Sequence, residues 1–103
     1  MILVDTSVWI DHFRKGSAEL ERLLDKSQVL IHPFVIGELA CGNLRNRIEI
    51  LTLLHSLPAA PVVAPDEFLY FIERNELTGK GIGFVDVHLL ASARISGVSL
   101  WTE

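Results

Sequence analysis

Four short apolar runs punctuate this chain: Ile2-Leu3-Val4, Val29-Leu30-Ile31, Val62-Val63 and Val98-Ser99-Leu100-Trp101. None alternates polar with apolar residues, so each reads as a strand buried on both faces. The segments between them carry helical signals. Ser7 to Phe13 places Val8, Trp9, Ile10 and Phe13 in a helical rhythm. Gly16-Ser17 then breaks the chain and caps a second helix, whose apolar stripe is Ala18, Leu20, Leu23 and Leu24. Pro33 suits the first turn of a third helix, which runs to about Cys41 and stops at Gly42-Asn43. Ile48 to Leu57 predicts a fourth helix, and Pro58 to Pro61 a linker. Pro65-Asp66 opens a fifth helix through about Leu77, residues 78–83 form a glycine-rich loop, and Phe84 to Ile95 is a sixth helix stopped by Gly97. Strands joined by helices run parallel and are covered by those helices, so the fold class is α/β. In such sheets ligands bind beyond the carboxyl ends of the strands, which is where Asp5 stands, at the end of the first.

The length of 103 residues predicts a single domain spanning 1–103, and a hydrophobic share of 50% is ample for a core. The net charge of -4 leaves no overall basic footprint for nucleic acid, although a local patch remains open. One cysteine, Cys41, excludes an internal disulfide and a cysteine-rich zinc site, and it fits a reducing cytosol. The apolar lead Met1 to Val4 has no basic residue and is broken by Asp5, so no secretory leader is expected. No uncharged apolar stretch approaches the roughly 18 residues that cross a bilayer.

Three carboxylates each stand alone in an apolar run. Asp5 is the only charge in residues 1–10, Glu38 the only one from Pro33 to Leu44, and Asp86 the only acid or base from Gly81 to Ala93 apart from His88. Helical spacing sets Phe34, Val35, Cys41 and Gly42 beside Glu38, and Leu89, Leu90 and Ala93 beside Asp86. Both acids are therefore expected on the faces their helices bury. A buried carboxylate without a partner is costly, and no Lys or Arg lies near these three in sequence. Capping competes as an explanation at two of them. Asp5 precedes a helix, and Asp86 sits in the first turn of one, where the dipole favours an anion. Glu38, in mid-helix, has no such role. Oxygen ligands suit Mg²⁺ or Mn²⁺, and a metal so held supports phosphodiester hydrolysis.

The other candidates carry less. His12, His32, His55 and His88 form no metal-binding spacing, so structural or surface roles are expected, with His88 notable for its closeness to Asp86. Thr6 and Ser7 either cap the next helix or orient the carboxylate or a phosphate. Arg45, Arg47, Lys80 and Arg94 are candidate phosphate contacts or simply solvated charges. The glycines at 79, 81 and 83 do not make a nucleotide-binding motif.

Together ILVDTSVWIDHFR, PFVIGELACG and GIGFVDVHLLASARISGVSLWT resemble a PIN domain, and more narrowly a VapC-type toxin of bacterial toxin–antitoxin systems. The resemblance runs the length of the chain. It implies a Mg²⁺- or Mn²⁺-dependent endoribonuclease of the cytoplasm, with a parallel sheet between two helical layers. It also implies a homodimer and a cognate VapB-like antitoxin that holds the enzyme inactive. By position Asp5, Glu38 and Asp86 match the family's metal-binding acids, and Thr102 its hydroxyl residue at the end of the penultimate strand. The family's pattern continues past Trp-Thr with another acid, a short strand and a last helix, whereas this sequence stops at Glu103. The expected fold therefore lacks those last elements, with Glu103 the one partial substitute for the fourth acid. That would leave a sheet edge uncovered and favour association.

Two rivals stand beside this reading. One is a PIN-like scaffold that binds antitoxin, RNA or its own copy without cleaving. The other is an aspartyl-phosphate enzyme with Asp5 as nucleophile. The second is disfavoured, because Ser7 occupies the place of that family's second Asp and no Lys is suitably placed.

Overall fold

A computed structural model describes residues 1–103. Its elements follow the order β1 (Ile2–Val4), α1 (Thr6–Lys15), α2 (Ala18–Asp25), β2 (Val29–Leu30), α3 (Pro33–Cys41), α4 (Arg47–Ser56), α5 (Pro65–Arg74), α6 (Phe84–Ser96) and β3 (Ser99–Trp101). The three strands form one parallel sheet in the order β2-β1-β3. Ile2 pairs with Val29 on one side and Ser99 on the other, and Val4 pairs with Trp101. The α/β class read from the apolar runs is the one observed, with six helices flanking the sheet.

Local chemistry fixes most element ends. Ser17 caps α2 by accepting from Leu20 N at 3.2 Å. Pro33 opens α3, and Gly97 closes α6 with φ 66, a left-handed conformation that favours glycine. The central strand is buried at Leu3 and Val4, both at 0% exposure and packed with Val8, Trp9, Val35 and Leu89, while Ile2 is partly buried. A smaller core joins Val63 and Phe68 to Val87 and Ala91, so α5 is held on α6.

Two expectations fail. No strand forms at Val62-Val63; the extra pairing falls earlier, as an isolated bridge between Ile31 and Ala59. There Ile31 N donates to Pro58 O at 2.9 Å and Ala60 N to Ile31 O at 2.7 Å. Pro61 has no N–H to extend that ladder, and its carbonyl accepts instead from the Ser92 hydroxyl at 2.7 Å. Helix α5 ends at Arg74 rather than near Leu77, because Glu76 turns left-handed at φ 54.

Candidate functional site

Asp5 sits where β1 hands over to α1. Its backbone N–H donates to Trp101 O at 3.1 Å, which ties it to β3. Its side chain is the N-cap of α1: Oδ1 accepts from Val8 N at 3.2 Å and from the Ser7 hydroxyl at 2.6 Å. The capping role and the isolated-acid role thus fall on the same residue. Asp5 is 7% exposed, and both bonds land on Oδ1, so Oδ2 is left without one. The only ion pair in the molecule is Arg22 with Glu19, so no side chain of this protein neutralises Asp5.

The packing of α1 on α3 brings Glu38 to this corner. The Thr6 hydroxyl donates to Glu38 Oε1 at 2.5 Å. Consecutive hydroxyls, on Thr6 and Ser7, therefore hold two of the predicted acids. Glu38 is nevertheless exposed, against the expectation of a buried face. Helix α3 buries the stripe of Val35 and Leu39 and leaves Gly37, Glu38, Cys41 and Gly42 in solvent. An almost wholly apolar helix does not reveal in its sequence which stripe goes inward.

Asp86 is exposed too, and the same correction applies. Its helix buries Val87, His88, Leu89, Ala91, Ser92 and Ala93. The N-cap of α6 is Gly83, which has no side chain to cap with. A Cβ added there would lie 3.6 Å from Asp86 Oδ2, so the carboxylate hangs over the first turn, where the dipole favours it. Asp86 makes no side-chain hydrogen bond to the Asp5–Glu38 corner. No three Asp, Glu, His or Cys side chains stand close enough together to hold one metal ion. Hard oxygen donors and an uncompensated acid suit a hard divalent cation at Asp5 and Glu38, but the arrangement lacks a closed set of three ligands.

Two further acids lie here. Glu103 N donates to the Ser7 hydroxyl at 3.4 Å. A hydrogen bond with Asp11 raises the Glu103 carboxyl above its usual pKa, helped by lost hydration and by the charges of Asp11 and Asp5, with Lys15 opposing. Asp11 was not suspected from sequence. The signal was its spacing of four from Ser7, which puts both on one face of α1.

Beside Glu38 opens a groove of about 910 Å³ whose walls include Phe13, Arg14, Glu21, Asn43 and Arg45. Arg45, a candidate phosphate contact, lines this groove, and Arg14 joins it from the end of α1; Arg47, Lys80 and Arg94 do not line it.

Between the start of α3 and helices α5 and α6 lies a polar and aromatic cluster. His32 caps α3, its Nδ1 accepting from Phe34 N at 3.0 Å. With Nδ1 accepting, Nε2 carries the proton and donates to the Ser92 hydroxyl at 3.1 Å, which in turn donates to Pro61 O at 2.7 Å. Burial, and then the like charge of His88, lowers the His32 pKa to about 4. Burial also lowers that of His88. The His88 ring stacks on Phe68 at 3.8 Å and 9°, and its Nδ1 has no partner. The structural roles expected of these histidines fit this packing. The relay from His32 through Ser92 had no sequence signal, since His32 and Ser92 lie 60 residues apart.

The sequence pattern that defines the PIN domain matches residues 2–103. Two curated proteins are each 48% identical to this chain over 104 residues, covering 100% of the chain and 84% of the relative. Both are named Ribonuclease VapC32, from Mycobacterium tuberculosis strains CDC 1551 / Oshkosh and ATCC 25618 / H37Rv.

Proposed function

The chain belongs to the PIN domain family, and on that premise we propose that it is a Mg²⁺- or Mn²⁺-dependent endoribonuclease acting as the toxin of a toxin–antitoxin pair. The observation that carries the proposal is Asp5: buried, bonded twice on one oxygen, free on the other, and unpaired with any cation of the protein. The ribonuclease name of relatives with 48% identity supports the same reading.

In this mechanism Asp5 and Glu38 would hold the metal at the α1–α3 corner, and Asp86 would reach it through water, since the three side chains do not close on one ion. When bound, the metal supplies a lowered pKa for attacking water and stabilisation of the leaving oxygen. The protein supplies position. Ser7 and the Val8 N–H fix Asp5 through Oδ1 and leave Oδ2 free, and Thr6 fixes Glu38. Arg14 and Arg45, neither in an ion pair, meet phosphates of the strand lying in the groove. No histidine or lysine nucleophile is required. The protein works as one domain over residues 1–103, in the cytoplasm, as a homodimer restrained by a VapB-like antitoxin. The strong exposure of Leu69 and Tyr70 on α5, 61% and 64%, supports association with another chain.

The test is RNA cleavage with Mg²⁺ or Mn²⁺ present. Asp5→Asn should abolish cleavage while the far-ultraviolet spectrum stays unchanged, and retained cleavage would sink the assignment. A second reading, a scaffold that binds without cutting, is favoured by the absence of three metal-holding acids within reach of one another. Calorimetric titration separates the two, since the scaffold binds no Mn²⁺.

A further inference from the structure

We propose that Phe84 is a stacking platform for an unpaired nucleobase of the RNA, placing the strand beside Asp86. The proposal rests on the ribonuclease reading above and adds how the substrate is positioned. The Phe84 ring is 62% exposed, yet three other rings hold it. Phe34 lies nearly parallel to it at 6.0 Å and 20°, Phe68 is at 5.1 Å, and His88 meets it edge-on at 4.6 Å. Phe34 and His88 are in turn packed at 4.8 Å, so the support is itself braced. Other exposed apolar side chains, such as Ile48 at 82% and Ile95 at 57%, have no such ring support.

Position singles out Phe84 as well. It opens α6 two residues before Asp86, and its partner Phe34 stands one turn before Glu38 on α3. The aromatic pair thus bridges the helices that carry two of the candidate acids. A large ring left in water gains nothing for folding on its open face. Such a ring, already held still, loses little freedom when a flat partner lands on it. Unpaired bases are the flat partners an RNA offers, and proteins that read single strands stack them on aromatic side chains. Stacking accepts any base, so Phe84 would favour unpaired RNA over duplex without choosing a sequence.

The experiment uses RNA decamers of mixed sequence, each carrying 2-aminopurine at one position, with the non-cleaving Asp5→Asn protein. Fluorescence should be quenched strongly at one position. Phe84→Leu in that background keeps the apolar bulk and removes the π face; it should abolish the quench and weaken binding roughly 5- to 100-fold. Phe84→Trp should restore both, which guards against a folding artefact. Unchanged affinity and quench in Phe84→Leu overturn the platform, as does an absence of RNA binding by the Asp5→Asn protein. A changed oligomeric state with unchanged RNA affinity would also overturn it, by assigning the ring to a protein contact. Cleavage of the same RNAs by the unsubstituted protein is scored separately. Cleavage retained without a Phe84-dependent signal removes the platform and leaves the ribonuclease reading standing.

Discussion

The Thr6 hydroxyl donates to the Glu38 carboxylate across 32 positions of sequence, at 2.5 Å, and so joins the first turn of α1 to the middle of α3. The adjacent residue, Ser7, bonds Asp5. Two consecutive hydroxyls at the start of one helix therefore set the spacing of two acids from different elements.

Removing that hydroxyl tests the arrangement. Thr6→Val keeps the shape and leaves Glu38 free to swing. The bond is exposed, so the stability cost should be about 1 kcal/mol or less. The kcat of RNA cleavage should fall about tenfold, because a misplaced ligand is felt mainly in the transition state. Single-turnover kinetics beside a urea melt check both.

Asp5 should show a trade between stability and function. Asp5→Asn keeps an oxygen to cap Val8 and removes an uncompensated charge. In chelator its melting temperature should equal or exceed that of the unsubstituted protein. Asp5→Ala loses the cap as well and should cost about 1 kcal/mol. Added Mn²⁺ should raise the melting temperature of the unsubstituted protein alone, since binding to the native state stabilises it. Calorimetric scans with and without Mn²⁺ read all of this.

The His32–Ser92 relay is a buried chain with no spare partners. Ser92→Ala leaves the His32 Nε2–H and the Pro61 carbonyl unpaired at once. Ser92 is fully buried, so the expected loss is about 2 kcal/mol in urea unfolding. Cleavage per folded molecule should be little altered, because Ser92 bonds His32 and Pro61 and none of the three acids.

Stability should also fall in mild acid. His32 has a folded pKa of about 4, depressed by burial and by His88, against 6.5 when free. Between those values the unfolded chain takes up a proton that the folded chain refuses. The stability present above pH 6.5 therefore declines as pH falls toward 4. The loss is at most about 3 kcal/mol, at roughly 1.4 kcal/mol per pH unit. His88, lowered by burial, pulls the same way. Urea midpoints from pH 7 to 4.5 measure the slope, and a flat profile would rule the histidines out as its cause.

Much of the fold was legible in the sequence because its signals are local. Uncharged apolar runs separated by helical periods define parallel strands, and Ser17, Pro33 and Gly97 mark helix ends through backbone chemistry that needs no distant partner. Asp5 could be read as well, since a lone acid at the end of a buried strand is conspicuous wherever the rest of the chain goes. Tertiary packing decided what those signals leave open. The apolar sequences of α3 and α6 allow several stripes to face inward, and contacts with the sheet and neighbouring helices put Glu38 and Asp86 in solvent. Pro58 and Ile31, not Val62, formed the last pairing, because backbone donors are chosen by proximity in space. Asp11, Arg14, Ser92 and Phe84 took their places in the same way. Sequence determined which acid had no partner along the chain; only the folded contacts decided which groups would stand around it, because those groups come from segments distant in sequence that meet only in the folded protein.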